Sequence, residues 1–307
     1  MANRVLVTPR SMSRGESPPL RLLKEAGYEP VFPAPGRQPS EDELIAAREG
    51  VVGYVAGVEP ITGRVLRSMK ELRAISRNGV GIDNIDLSAA EELGIRVLKA
   101  QGSNARGVAE LALLQMLLLK RKALPAMIEL KKHNWEREKG GELPDVKLGI
   151  IGMGSIGVLV AELAKAFGME VLGHDPYPSA KAKLTAPLVE LDLLWEECEI
   201  ITLHCPPQEN GEPIVDRRRL ESAQEGLLLI NTARSSLVDD EAVLEALNSG
   251  KLGGYSVDAF AQEPPTDWRI VDHPKVAATP HIGGNTRESG GRAAEAAVRN
   301  LLEELKA

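Results

Sequence analysis

Three side chains suited to gripping an anion and moving a proton each follow a short apolar run in the last third of the chain. Arg234 comes just after 226–230, Glu263 just after 254–258, and His281 just after 276–279. A guanidinium holds a carboxylate through two parallel N–H donors. An imidazole transfers protons near neutral pH, and a neighbouring carboxylate favours its charged form and fixes the ring. Such a trio can anchor a small carboxylic acid and take up or return the proton of an adjacent hydroxyl, provided that something exchanges a hydride with the same carbon.

A second feature supplies that partner. Gly152-Met-Gly154-Ser-Ile-Gly157 lies between the apolar run Val146-Lys-Leu-Gly-Ile-Ile151 and an alanine-rich helical pattern over 158–167. The first glycine makes the tight strand-to-helix turn, the second lets a pyrophosphate approach the backbone, and the third lets helix and strand pack closely. The helix N-terminus presents free N–H groups to the phosphates. A second run, 170–174, ends in Asp175, whose carboxylate can accept both hydroxyls of an adenosine ribose. Residues 176–180 contain no Arg or Lys to neutralise a ribose 2′-phosphate, so the pattern predicts NAD rather than NADP.

Elements must position these groups. Over the first hundred residues, strand patterns at 4–8, 51–55, 72–76 and 95–98 alternate with helical ones near 19–26, 63–69 and 87–93. A long apolar helix is expected over 103–122 as the connector to a second series of strands at 146–151, 170–174, 200–204, 226–230, 254–258 and 276–279. Strand–helix alternation reads as parallel sheets with helices on their faces, and the near-continuous apolar strands agree. The expected fold is therefore α/β, with two doubly wound parallel-sheet domains: a Rossmann nucleotide-binding domain over 101–286 inserted in a flavodoxin-like substrate domain over 1–100. The latter is completed by a C-terminal helix over 287–307. Two crossings between domains predict a hinged cleft, and ligands of such sheets bind beyond the carboxyl ends of the strands.

Composition narrows the partners. The chain has 307 residues and a formal charge of −7, with acids and bases interspersed. That gives no footprint for nucleic acid or an anionic membrane. The longest apolar stretch, 111–119, is too short to span a bilayer and is interrupted by Gln115. Cys198 and Cys205 lack the spacing and histidines of a zinc site, so no metal is expected. A reducing cytoplasm is the expected location. His133 and His273 read as surface or helix-end residues, and His204 as a packing residue or part of an adenosine pocket.

In chain order, Asn78-Gly-Val-Gly-Ile-Asp-Asn-Ile-Asp86, 149–157, Leu203-His-Cys-Pro-Pro207, 231–240, 258–264 and 279–286 resemble the motifs of the D-isomer-specific 2-hydroxyacid dehydrogenase family. The likeness covers nearly the whole chain, and the N-terminal half looks most like phosphoglycerate dehydrogenases. It implies that Arg234 anchors and polarises the substrate, that His281 is the general acid/base, and that Glu263 is its partner. The backbone amides of Asn78, Gly79, Val80 and Gly81 would hold the substrate carboxylate. Besides Gly152, Gly154, Gly157 and Asp175, the implied cofactor contacts are Ser155, Ile156, His204, Cys205, Pro206, Thr232, Ala233, Asp258 at the nicotinamide carboxamide, and Gly283. Ser155, Gln208 and Ser235 depart from the common pattern in stretches that would touch the cofactor.

The activity implied is NAD-dependent interconversion of a D-2-hydroxy acid and its 2-oxo acid, with 3-phosphoglycerate as the first candidate and glyoxylate or hydroxypyruvate as the alternative. An NADH-sensing binding scaffold is the alternative of another class. Arg10 and Arg14, after the first strand, are placed to read a phosphate at the far end of the substrate. The apolar helix at 108–119 and the arm at 120–140 correspond to the family's dimer contact, so a homodimer is expected.

Overall fold

The computed structural model describes residues 3–13 and 17–306, which divide into two compact units, 1–104 with 286–307 and 105–285. In the first unit the strands are β1 (Arg4–Val7), β2 (Glu29–Val31), β3 (Val51–Ala56), β4 (Ala74–Arg77) and β5 (Arg96–Lys99). They pair in parallel in the order β2-β1-β3-β4-β5, the flavodoxin-like arrangement, with its switch point between β1 and β3. Four helices connect them: α1 (Pro18–Glu25), α2 (Glu41–Ala46), α3 (Gly63–Ser68) and α4 (Leu87–Glu92). Neither β2 nor α2 is among the elements expected from the sequence patterns. The second of these begins with a capping box, in which Ser40 and Glu43 each accept the other's backbone N–H.

Strand alternation feeds two cores. Leu6, Tyr54 and Ile75 face a cluster with α3 and α4, whereas Val5, Val7, Val55 and Ala74 face α1 and the last helix of the chain, α12 (Arg287–Lys306). That helix returns to pack on β3, β4 and β5. Gly53 on β3 makes room for it, since a Cβ there would sit 2.9 Å from Leu305 and 3.2 Å from Leu301. Leu301 is fully buried. Burying such a side chain contributes about 1.5–3 kcal/mol, which ties the C-terminal residues to the N-terminal sheet.

The second unit opens with α5 (Ala105–Lys120) and α6 (Ala123–Lys131). Its strands are β6 (Lys147–Ile151), β7 (Glu170–His174), β8 (Ile200–Leu203), β9 (Leu227–Asn231), β10 (Leu252–Val257) and β11 (Val276–Ala278). Between them run α7 (Ser155–Ala166), α8 (Ala180–Thr185), α9 (Leu191–Glu197), α10 (Arg217–Ser222) and α11 (Asp240–Ser249). The parallel sheet has the order β11-β10-β9-β8-β6-β7. Leu188 adds a single parallel bridge to Gly173 outside β7. With that bridge counted, the order is the Rossmann one, its third strand reduced to one residue. Pro187 is the physical reason, because it brings no N–H to a ladder. Ala109, Ala112 and Met116 of α5 pack with Leu148, Ile150 and Ile230 on one face, and Trp195, Leu229, Leu247 and Tyr255 fill the other.

Candidate functional site

All six strands of the second sheet run parallel, so the segments after β6, β7, β9, β10 and β11 emerge at one carboxyl edge. After β6, Gly152 turns the chain with φ +95°. A Cβ on it would lie 2.6 Å from the His204 carbonyl carbon and the Cys205 nitrogen. At Gly157 an added Cβ would be 2.0 Å from the Gly152 oxygen, so helix and turn are in contact there. Gly154, in contrast, has nothing within 4 Å of where a Cβ would be. It is the N-cap of α7, and no side chain caps that helix. Ser155 and Ile156 form the open first turn behind it. Bare N–H groups around an unfilled cradle fit a pyrophosphate.

Asp175 closes the loop. Its Oδ2 accepts the Met153 N–H at 2.8 Å and its Oδ1 the Tyr177 N–H at 2.8 Å. Each oxygen keeps a further lone pair for a hydroxyl. One carboxylate thereby shapes the glycine loop and remains able to receive a ribose. These residues fit a dinucleotide.

His204 holds the strand ends beside this loop. Its Nε2 lies 2.9 Å from Thr202 Oγ1 and its Nδ1 3.5 Å from Thr232 Oγ1. Burial pushes its pKa down to about 3, so the ring is neutral. Cys205 beside it has its thiol pushed up to about 11 by burial. Pro206 is exposed, and the Ala233 N–H donates to Asn231 Oδ1 at 3.0 Å. Of the departures, Gln208 donates to the Glu212 carbonyl, and Ser235 opens the short 3₁₀ turn Ser235–Leu237.

The structure brings His281 and Glu263 together. Nδ1 of the imidazole lies 2.7 and 2.9 Å from the two carboxylate oxygens, and Glu263 Oε1 also accepts the Phe260 N–H at 3.1 Å. The side chains are 49% and 42% exposed, and Nε2 makes no hydrogen bond among the described residues. A carboxylate at Nδ1 places the proton there and leaves the Nε2 lone pair outward. His281 has φ +51°, in the left-handed region that few residues other than glycine occupy, although histidine enters it more readily than most. Arg234 follows β9, two strands from β11, with Nη1 donating to the Ala233 carbonyl at 2.8 Å and its own carbonyl accepting from Asn231 Nδ2 at 2.9 Å.

Asp258 is buried at 2% exposure, and both its oxygens are engaged within the protein. Oδ1 accepts from Thr279 Oγ1 at 2.6 Å and from the Ile282 N–H at 2.8 Å, while Oδ2 accepts from the Gly283 N–H at 2.8 Å. Whatever it offers a carboxamide, it first clamps the loop that carries His281. Gly283 is part of that clamp, since a Cβ there would be 3.0 Å from Asp258 Oδ2. Thr279 enters the sequence motif only as the residue before Pro280, and Gln115 only as the break in an apolar run. That break was the available signal, because a polar side chain in a buried stripe needs a partner.

In the first unit, the loop after β4 carries the four amides from Asn78 to Gly81. The amide of Asn78 donates to the Ala56 carbonyl at 2.9 Å and that of Gly79 to the Arg77 carbonyl at 2.8 Å. Neighbouring backbone has already taken these two donors. The amides of Val80 and Gly81 have no partner among the described residues. Arg10 is exposed on the turn after β1, and Arg14 lies outside the described residues.

Comparison with known proteins places this geometry. Residues 113–283 match the family model described as D-isomer specific 2-hydroxyacid dehydrogenase, NAD binding domain. A hydroxypyruvate reductase of Thermotoga maritima is 39% identical over 273 residues, covering 86% of this chain and 88% of that protein. A D-3-phosphoglycerate dehydrogenase of Sus scrofa is 35% identical over 272 residues, covering 87% of this chain but 51% of its own length, so the chain spans about half of that relative. A Thermus thermophilus protein of known crystal structure superposes with a TM-score of 0.86 at 35% identity, covering 99% of this chain and 97% of that one. With a family match over more than half of its length and an NAD-binding sheet that fits its cofactor, the chain belongs to the D-isomer-specific 2-hydroxyacid dehydrogenases.

Proposed function

We propose that this chain interconverts a polar D-2-hydroxy acid and its 2-oxo acid, with His281 moving the proton. The observation that carries the reading is the His281–Glu263 pair, held through Nδ1 with Nε2 outward at the sheet edge that also bears the glycine loop. The glycine loop, the first turn of α7 and Asp175 would hold NAD, which would supply the hydride exchange. In oxidation, Nε2 takes the hydroxyl proton and Glu263 stabilises the imidazolium formed; in reduction the same nitrogen returns the proton. Arg234 stabilises charge on the carbonyl oxygen and orients the carboxylate. In the first unit, the amides of Val80 and Gly81, which have no partner among the described residues, suit an anionic group.

The first substrate reading is 3-phosphoglycerate, with Arg10 and Arg14 receiving the phosphate. Hydroxypyruvate is the second, favoured by the reductase of T. maritima being matched over 88% of its own length. A panel of phosphorylated and unphosphorylated 2-hydroxy and 2-oxo acids, followed by NADH absorbance, separates the two. It also tests the whole reading, because turnover of no acid in the panel would leave a cofactor-binding scaffold.

A homodimer belongs to the same proposal. Helix α6 has no buried residue, and its Met127, Ile128 and Leu130 are 54%, 45% and 57% exposed. An apolar helix of this kind suits a two-fold contact with a second copy. We place the protein in the cytoplasm, where its free thiols Cys198 and Cys205 stay reduced. No helix among the described residues is long and apolar enough to cross a membrane.

A further inference from the structure

Gln115 sits in the middle of the apolar face of α5 and is 1% exposed. Its Nε2 donates to Thr279 Oγ1 at 3.2 Å, while its Oε1 is buried without a partner. A leucine or methionine at this position would complete the apolar stripe and orphan nothing. The amide is therefore costly unless its contact with Thr279 matters.

A threonine hydroxyl has one hydrogen to give. Because the Gln115 amide occupies its acceptor side, that hydrogen is directed at Asp258 Oδ1, 2.6 Å away. Asp258 in turn receives the N–H groups of Ile282 and Gly283, both at 2.8 Å. These contacts flank His281, whose own N–H turns back to the Thr279 carbonyl at 2.9 Å and whose backbone is left-handed. A backbone in that region persists only when its surroundings over-determine it. Glu263 fixes the ring from one side, but it does not hold the backbone from which the ring projects.

We infer that Gln115 and Thr279 are positioning residues. Through Asp258 they form a relay from helix α5 to the loop of His281 that sets where Nε2 points. The inference rests on the reading of His281 as the proton carrier. Misplacing a reacting group by about an ångström can cost roughly 100-fold in rate, while binding contacts elsewhere are untouched.

The test uses the whole chain, the fastest acid of the substrate panel, and an activity-independent readout. The latter is the downfield proton resonance of the His281 Nδ1–H bound to Glu263. Thr279→Val should lower kcat by roughly 10- to 100-fold, with KM for the acid within about twofold of wild type. The Nδ1–H resonance should broaden, and Thr279→Ser, which keeps the hydroxyl, should restore both. Gln115→Met should show the same pattern at about 3- to 10-fold, and it carries the test if the valine variant does not fold. A kcat near wild type, an unchanged resonance, or a serine variant as impaired as the valine one overturns the relay. His281→Ala is assayed alongside; if that variant turns over normally, the proton-carrier reading has failed and the resonance alone decides the relay.

Discussion

Gly154→Ala separates cofactor approach from folding more cleanly than any other change in the glycine loop. At this position φ is −75°, which alanine adopts freely, and no heavy atom lies within 4 Å of the added Cβ. Losing an N-cap glycine and restricting the unfolded chain act in opposite directions, so stability should move by no more than about 1 kcal/mol. The methyl group would occupy the space the pyrophosphate needs. Each charge-assisted N–H bond lost to a phosphate is worth about 1.5–3 kcal/mol, so NADH should bind roughly 10- to 100-fold more weakly. Gly157→Ala is the contrasting case, since its Cβ would be 2.0 Å from the Gly152 oxygen and the turn must deform. Fluorescence titration with NADH and thermal melting, run on both variants, give the comparison. Gly154→Ala with a wild-type Kd would refute the reasoning, because no phosphate would then pass that position.

Asp175→Asn keeps an oxygen for the Met153 N–H but removes the charge, so NAD should lose efficiency and NADP gain it; an unchanged preference between the two would contradict the ribose assignment. His204, ordinarily near 6.5 and lowered by burial to about 3, contributes stability that is present above pH 6.5 and lost as the pH falls toward 3. Unfolding free energies from urea titration should therefore fall less steeply with acid in His204→Gln than in wild type, by a few kcal/mol at about pH 4, and parallel curves would contradict this. Burial raises the Cys198 thiol to about 12 and the Cys205 thiol to about 11, so neither should react with a disulfide reagent at pH 8 until the chain unfolds; fast labelling of either would show that it is not shielded.

The sequence exposed the parts of the site fixed by local chemistry. Glycines at 152, 154 and 157 are needed where backbone meets backbone or ligand, and the strand ahead of them is apolar from Leu148 to Ile151, so loop and flanks were readable together. The positions of Arg234, Glu263 and His281 followed from the rule that parallel strands deliver their successors to one edge. Hydrogen-bond allocation was not readable, because it depends on which strands are neighbours. The Asn78 amide goes to Ala56 only because β3 lies beside β4, and Asp258 turns onto the loop after β11 only because β11 lies beside β10. Short crossover helices escaped because their apolar faces are brief, although Ser40, Asp216 and Asp239 cap α2, α10 and α11 and were visible in the sequence.

Proton transfer by His281 is the central claim, and turnover by His281→Ala tests it most directly. The variant should bind NADH as the wild type does, since the imidazole belongs to neither the glycine loop nor the ribose site. Its kcat for the best acid of the panel should fall by a factor on the order of 10²–10⁴, the range for a positioned general acid or base. A kcat near wild type with NADH still bound would contradict the account.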